Sequence, residues 1–380
     1  MAKLRVLTVL PGITPDAGAE QSMAALLPRV VDAGVNVHLA LFTERQALVP
    51  MLERAGVVVH DLSSSRSTWA RVRALRDTIA AIEPDVVHAT LFEAAVPAQL
   101  AVLRTGVPVL VTWASTSYDP GSLAEMGRSA WKLRVVQLVE IVLARVSRAR
   151  FHAVTAGVAR VNSANLRVPA DRVLVGERGR DPERLVVDDA AVDAVRAELG
   201  VDHGGQLVLA VGRQEPQKGY SSLLTAFDEV AATHPGATLA IAGRSGRDTP
   251  ALERQLTGLA HRSAIRFLGQ RDDVATLLTA ADLVVCASWR EGAAGALIEA
   301  MACGAPILTV PLEGTEDVVV DGLNGRVVPR ESLASGIAGM LDDRATADRF
   351  AAEGRRTFAE RFTLERSTEQ MIEIYRTVGG

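Results

Sequence analysis

Short apolar runs alternate with stretches of helical periodicity along the whole chain, and this pattern most narrows its possible folds. Residues 4–10, 35–41, 56–61, 85–89, 108–112, 150–154 and 172–175 read as buried strands. Helical patterns at 18–33, 46–55, 68–82, 92–105, 123–149 and 156–166 fall between them. Strands buried on both faces and separated by helices imply a parallel sheet covered by helices on each side. The rhythm resumes with strands 207–211, 238–242, 265–268 and 283–287, and three helical patterns (331–342, 345–360, 363–378) close the chain. At 380 residues the chain exceeds one core, so two domains of about 150–200 residues are expected. We place them at 1–185 and 186–362, with the charged, turn-rich stretch 181–205 as the connection.

Ligands of such sheets gather at the carboxyl ends of the strands. Three stretches of the first half fall there: 11–20, 88–93 and 113–119. The first strand–glycine loop–helix unit lacks G-x-G-x-x-G, which disfavours NAD. A net charge of −4 gives no reason to expect nucleic acid. Cys286 and Cys303 sit in apolar or small-residue runs without ligand spacing, as reduced core cysteines do. No signal-peptide pattern and no apolar run of 18 residues is present, so the expectation is a cytoplasmic protein.

The stretch Asp282–Thr309 carries the most chemistry. A buried strand leads through a Gly-bearing turn into a small-residue helix ending at Gly304. Glu291 in the turn and Glu299 on the helix are eight residues apart, about 8–12 Å by helical rise. That is too far for an acid/base dyad but about the length of a sugar–diphosphate–ribose ligand. Upstream, a strand delivers Gly212-Arg213, and Lys218-Gly219 open a helix. Lysine occurs only at 3, 132 and 218, which makes Lys218 conspicuous in an arginine-rich chain. Two fixed cations at a helix N-terminus suit a diphosphate leaving group, with Arg as a planar fork and Lys as a point charge.

These motifs resemble the family-4 retaining glycosyltransferases of GT-B fold. Residues 288–304 resemble the E-x7-E signature, and 212–219 match G-R-x-x-x-x-K-G at full spacing. The resemblance implies two Rossmann-like parallel-sheet domains facing across a cleft, with the C-terminal helix (about 363–380) crossing back to the first domain. It implies that Arg213 and Lys218 stabilise the departing diphosphate, Glu291 holds the donor sugar and Glu299 the nucleotide ribose. Gly18, Gly212, Gly292, Ala293, Ala294 and Gly295 would line the donor site. Where the family writes E-G-F-G, this chain has Glu291-Gly292-Ala293-Ala294-Gly295, so the loop over the donor phosphates is altered. Ala17 replaces the first glycine of the family's G-G-A-E, and Asp317 replaces a glutamate in its G-G-x-x-E-x-V-x-D-G-x-N-G, of which Gly314 is retained. Arg178 and Arg180 replace Asn and Val of I-P-N-G-V-D.

The acceptor half is less legible. Of the family's H-x-H-x-x-H only His88 remains, with Thr90 and Glu93 at the later positions, and His88 reads at least as well as a hydrogen-bonded structural imidazole as a catalytic one. Glu93, Trp113, Ser115 and Tyr118 are candidate acceptor-side residues. The basic amphipathic helix 123–149 could rest on an anionic bilayer or pack on its own sheet. The expectation is a metal-independent glycosyltransferase without a bound cofactor, moving a sugar from a nucleoside-diphosphate sugar to a hydroxyl acceptor (lipid, saccharide or small metabolite). A degenerate nucleotide-sugar-binding homologue and a nucleotide-sugar epimerase are the alternatives.

Overall fold

The computed structural model describes residues 3–15, 18–116, 118, 130–201, 204–312 and 316–380. The chain divides into two compact units, Met1–Gly179 with Leu364–Gly380, and Arg180–Thr363.

In the first unit the described strands are β1 (Arg5–Leu10), β2 (Asn36–Leu41), β3 (Val58–Asp61), β4 (Val86–Thr90), β5 (Val109–Trp113), β6 (Arg150–Ala153) and β7 (Val173–Val175). They form one parallel sheet in the order β3-β2-β1-β4-β5-β6-β7. Helices α1 (Gly18–Asp32), α2 (Val49–Arg54), α3 (Thr68–Ile82), α4 (Phe92–Ala101), α5 (Ala130–Val146) and α6 (Ala156–Leu166) connect the strands. Every residue of β4 and β5 is buried, which is why those segments show no alternation of apolar and exposed polar residues. The expected helix 123–149 is described over Ala130–Val146, and 123–129 lie outside the described residues.

The second unit carries α7 (Asp189–Glu198), α8 (Tyr220–Thr233), α9 (Thr249–Thr257), α10 (Val274–Ala280), α11 (Gly295–Cys303), α12 (Leu333–Asp342) and α13 (Arg344–Arg361). Its described strands are β8 (Gln206–Val211), β9 (Ala237–Ala242), β10 (Ile265–Gly269), β11 (Leu283–Cys286), β12 (Ile307–Thr309) and β13 (Arg326–Val327), parallel in the order β10-β9-β8-β11-β12-β13. In both sheets the winding direction reverses beside the first strand, between β1 and β4 and between β8 and β11. Such switch points open a crevice at the strands' carboxyl ends.

The final helix, α14 (Leu364–Gly379), belongs to the first unit. Met371, Ile374, Tyr375 and Val378 recur at helical spacing and are buried in that unit's core with α1 and β1. One expectation needs correction. The stretch 181–205 is not a bare connection, because α7 lies within it and buries Val195 and Leu199 in the second core. Its charges serve the helix instead. Asp188 caps the first turn through Ala190 N at 3.1 Å, and Arg196 reaches Asp282 at 2.9 Å.

Candidate active site

The second unit assembles the site from the two loops that leave β8 and β11, the strands flanking its switch point. Gly212 follows β8 at φ 152°, a backbone setting that side chains rarely tolerate. A Cβ there would also lie 2.9 Å from Lys218 Cε. Gly212 therefore leaves room for the lysine to fold across the loop. The Gly212 carbonyl accepts from Tyr220 Oη at 2.9 Å. At Gly219 (φ 65°) the chain turns left-handed and starts α8, with a Cβ excluded by the Ala287 carbonyl. Lys218 is thus fixed just ahead of a 14-residue helix.

Its ammonium meets Glu291 Oε1 at 2.6 Å, and the two side chains keep only 17% and 15% of their surface in water. Desolvation alone would lower the Lys218 pKa. The Glu291 carboxylate more than offsets that and leaves it raised, against the opposing charge of Arg213 nearby. The same Glu291 oxygen accepts from Ser288 Oγ at 2.6 Å. Behind them Cys286 and Tyr220 are held protonated, their pKa values pushed up chiefly by burial. The structure therefore brings Lys218, Glu291 and Arg213 together. It also pairs the lysine directly with the glutamate, which the motif spacing did not reveal.

The loop bearing Glu291 is braced from two sides. Trp289 N donates to the Gln217 carbonyl at 2.8 Å, which ties it to the Lys218 loop. Arg330 donates to the carbonyls of Ala287 (2.6 Å) and Ser288 (2.9 Å) and lies 3.6 Å from the centre of the Trp289 ring. Arg330 went unassigned in the sequence because nothing in its spacing marks a residue 39 positions beyond Glu291 as its brace.

Gly292 and Ala293 are half-buried and lead to Ala294, the residue before α11. Ala294 sits in the left-handed region at φ 46°, ψ 44°. Ala294 takes the place of the second glycine of E-G-F-G, and the backbone still adopts glycine's conformation there, at a cost of about 1–2 kcal/mol for an L-residue. On α11, Glu299 Oε1 accepts from Arg180 Nε at 2.6 Å. The Arg180 guanidinium also lies against Gly295, where a Cβ would collide with Nη2. Among the described residues no group of three or more His, Cys, Asp or Glu side chains is placed to hold a metal ion.

In the first unit Gly18 is exposed at the start of α1, with nothing near the position of a Cβ, while Ala17 lies outside the described residues. Glu20 of the same motif is buried and organises the loop. Its Oε2 accepts from Thr14 N at 2.7 Å and Thr14 Oγ1 at 2.8 Å, and Arg45 approaches Oε1 at 3.7 Å.

His88 is completely buried on β4, with both ring nitrogens engaged. One hydrogen-bond chain runs from Tyr375 Oη to His88 Nδ1 (2.8 Å), His88 Nε2 to Thr112 Oγ1 (2.6 Å), Thr112 Oγ1 to His152 Nδ1 (3.0 Å) and His152 Nε2 to the Gly176 carbonyl (2.8 Å). A carbonyl only accepts, so His152 Nε2 carries a hydrogen and its Nδ1 accepts from Thr112. Thr112 in turn accepts from His88 Nε2–H, and His88 Nδ1 accepts from Tyr375 O–H. Every donor points the same way only while both rings are neutral. Burial drives the His88 pKa down to about 3 and that of His152 to about 4, each lowered further by neighbouring positive charge. This geometry favours the structural of the two readings left open for His88.

The acceptor-side candidates differ in their exposure. Trp113 is a core residue, 7% exposed and stacked on Phe151 with ring centres 4.4 Å apart, because as the last residue of β5 it still packs against β6. That corrects its assignment to an acceptor pocket. Glu93 is exposed in the first turn of α4, and Ser115 is exposed with its carbonyl accepting from Asn162 Nδ2 at 3.0 Å. Tyr118 has φ 70°, and its neighbours 117 and 119–122 lie outside the described residues. So does Gly314.

Residues 192–357 match the family model "Glycosyl transferases group 1", and residues 17–179 match the "Glycosyl transferase 4-like domain". A phosphatidyl-myo-inositol mannosyltransferase of Mycobacterium tuberculosis (strain H37Rv) is 33% identical over 206 residues, which cover 50% of this chain and 52% of that protein. The chain thus spans about half the length of the curated relatives it matches. Among solved structures, a glycosyltransferase from Rickettsia africae superposes with a TM-score of 0.83 at 18% identity, covering 100% of this chain and 99% of that one. Anabaena Alr3699/HepE in complex with UDP and glucose gives 0.80 at 22%, covering 98% and 100%. At these identities the structures speak for the fold. Two family models in tandem and a full-length match to that architecture lead to one assignment: the chain belongs to the family-4 glycosyltransferases of GT-B fold.

Proposed function

We propose that the chain transfers a sugar from a nucleoside-diphosphate sugar to a hydroxyl acceptor, with retention at the anomeric carbon and without a metal ion. The observation that carries this is the cluster of Lys218, Arg213 and Glu291 at the second sheet's switch point. The donor's diphosphate, with about two negative charges, engages Arg213 and Lys218, whose fixed charge stabilises it as it departs. Glu291, freed from Lys218, accepts from the sugar's hydroxyls, and Glu299 takes the ribose. The bond from the anomeric carbon to the phosphate oxygen breaks. A bond to the acceptor oxygen forms on the same face, and the acceptor's proton passes to the departing phosphate oxygen. A relative solved with UDP and glucose supports a uridine donor, and relatives named for lipid acceptors support a lipid or saccharide acceptor.

A specific surface favours a membrane-borne acceptor. On α5, Leu133, Leu143 and Ala144 face the core, while Trp131, Val135, Leu138, Val142 and Val146 form a second apolar stripe, each 49–63% exposed. Exposed Arg134, Arg145 and Arg148 flank it, the pattern of a helix lying in an anionic interface.

The donor is tested by a thermal-shift screen against nucleotide sugars, since stabilisation scales with ligand concentration over Kd. Incubation of the best donor with candidate alcohols, and NMR of the product's anomeric coupling, then reads the stereochemistry. An inverted product refutes retention. Donor binding without hydrolysis or transfer identifies a degenerate homologue, and donor isomerisation without an acceptor identifies an epimerase.

A further inference from the structure

Arg180 stands where the resemblance writes valine, at the first position of the second unit. Its backbone is anchored, because its N–H donates to the Phe362 carbonyl at 2.8 Å and it bridges to Thr363. Its side chain lies along α11, where Nε meets Glu299 Oε1 at 2.6 Å and Nη2 rests on Gly295 one turn earlier. Both partners keep part of their surface in water, 21% for Arg180 and 26% for Glu299, so a ligand can reach the pair. The altered loop, Ala293 and Ala294 in place of Phe and Gly, leads directly into that helix.

Charge decides what this arginine does. Without it, and with Arg330 engaged by the carbonyls of Ala287 and Ser288, the site opposes two cations, Arg213 and Lys218, with two carboxylates, Glu291 and Glu299. A dianionic diphosphate would meet little net attraction from these four side chains and one unpaired glutamate. With Arg180 there are three cations to two carboxylates, and Glu299 is neutralised in place.

We propose that Arg180 is a positioning residue for the nucleotide, resting on the reading of the site given above. It holds Glu299 in one rotamer, so that the remaining carboxylate lone pairs accept from the ribose hydroxyls. Its positive charge makes that carboxylate tolerable beside a diphosphate. A guanidinium fork suits both tasks, since one edge bonds the carboxylate while the rest of the plane stays over the helix N-terminus. The site therefore selects ribonucleoside over 2′-deoxyribonucleoside diphosphates through Arg180.

The test is calorimetric binding of UDP, GDP and ADP to the full chain, followed by the 2′-deoxy analogue of the tightest. The unaltered chain is expected to favour the ribose form by about tenfold or more. In Arg180→Val this preference falls to about threefold or less, and diphosphate affinity drops about tenfold. Gly295→Ala, which displaces the guanidinium without removing it, gives the same loss. Arg180→Lys recovers more of the diphosphate affinity than of the ribose preference. Melting temperatures within a few degrees of the unaltered chain show that the variants fold. An unchanged ribose preference and an unchanged Kd in Arg180→Val overturn the inference alone. If the unaltered chain binds none of the three nucleotides, both this inference and the function it rests on fail.

Discussion

The buried histidine chain makes the first unit acid-labile by a calculable amount. His88 and His152 have folded pKa values of about 3 and about 4, against about 6.5 in an unfolded chain. Both values are depressed, so the unfolded state binds protons first. The stabilisation is complete above about pH 6.5 and is lost as pH falls toward the folded values. At pH 4.5 each ring is protonated when unfolded and mostly neutral when folded. The difference is about two pH units per residue, on the order of 2–3 kcal/mol each relative to pH 7.5. Neither ring is more than 4% exposed, so solvent screening does not reduce this. Carboxylates contribute acid sensitivity of their own, and the clean comparison is with His88→Gln, which cannot protonate. Urea unfolding between pH 4.5 and 7.5 can be followed by tryptophan fluorescence, since Trp113 stacks on Phe151 one residue from His152. The variant should be less stable at pH 7.5, and its deficit should shrink by on the order of 2–3 kcal/mol at pH 4.5. A deficit constant to within about 0.5 kcal/mol across that range refutes the neutral, one-directional chain.

Three further outcomes are expected. Lys218→Ala should lower turnover about 10²–10³-fold and also lower the melting temperature, because Glu291 loses its buried partner; turnover is measured by product formation under saturating donor below that temperature, and near-normal turnover removes Lys218 from the chemistry. Ala294→Gly should raise stability by about 0.5–1 kcal/mol, because relief of the left-handed strain exceeds glycine's added chain entropy, and chemical denaturation reads the sign. Leu138→Asp, placed in the exposed stripe of α5, should abolish co-flotation with phosphatidylglycerol vesicles while leaving binding to neutral phosphatidylcholine unchanged and weak; flotation equal to that of the unaltered chain assigns the stripe to another partner.

The architecture was legible because its signal is repetitive: each buried strand and each amphipathic helix announces itself locally, and the two sheets follow from their alternation. The donor motifs were legible for a related reason, since Gly212, Lys218 and Gly219 are constrained by close approach and backbone angle within one loop. Contacts between segments distant in sequence were not. The pairing of Lys218 with Glu291, the Arg330 brace and the Arg180–Glu299 bridge join residues 73, 42–43 and 119 positions apart, and no local pattern encodes them. Trp113 misled because a polar stretch follows it immediately. Whether a strand's last residue turns inward is settled by the neighbouring strand. His152 and Tyr375 gave no signal at all, since a histidine's role depends on what its two nitrogens face.

The contact between Lys218 and Glu291 bears on how the proposed donor site discriminates. Inorganic phosphate alone would pull the lysine away and strand a buried carboxylate. A free sugar would occupy the carboxylate and leave an ammonium facing a low-dielectric wall. Either half of a donor thus opens the pair at a loss. A molecule that presents an anion and a row of hydroxyls at fixed separation satisfies both ends at once, so under the proposed function the pair favours an intact nucleotide sugar over inorganic phosphate or a free sugar. A nucleoside diphosphate, held through its ribose and phosphates, binds more weakly than the intact donor because it leaves Glu291 without the lysine.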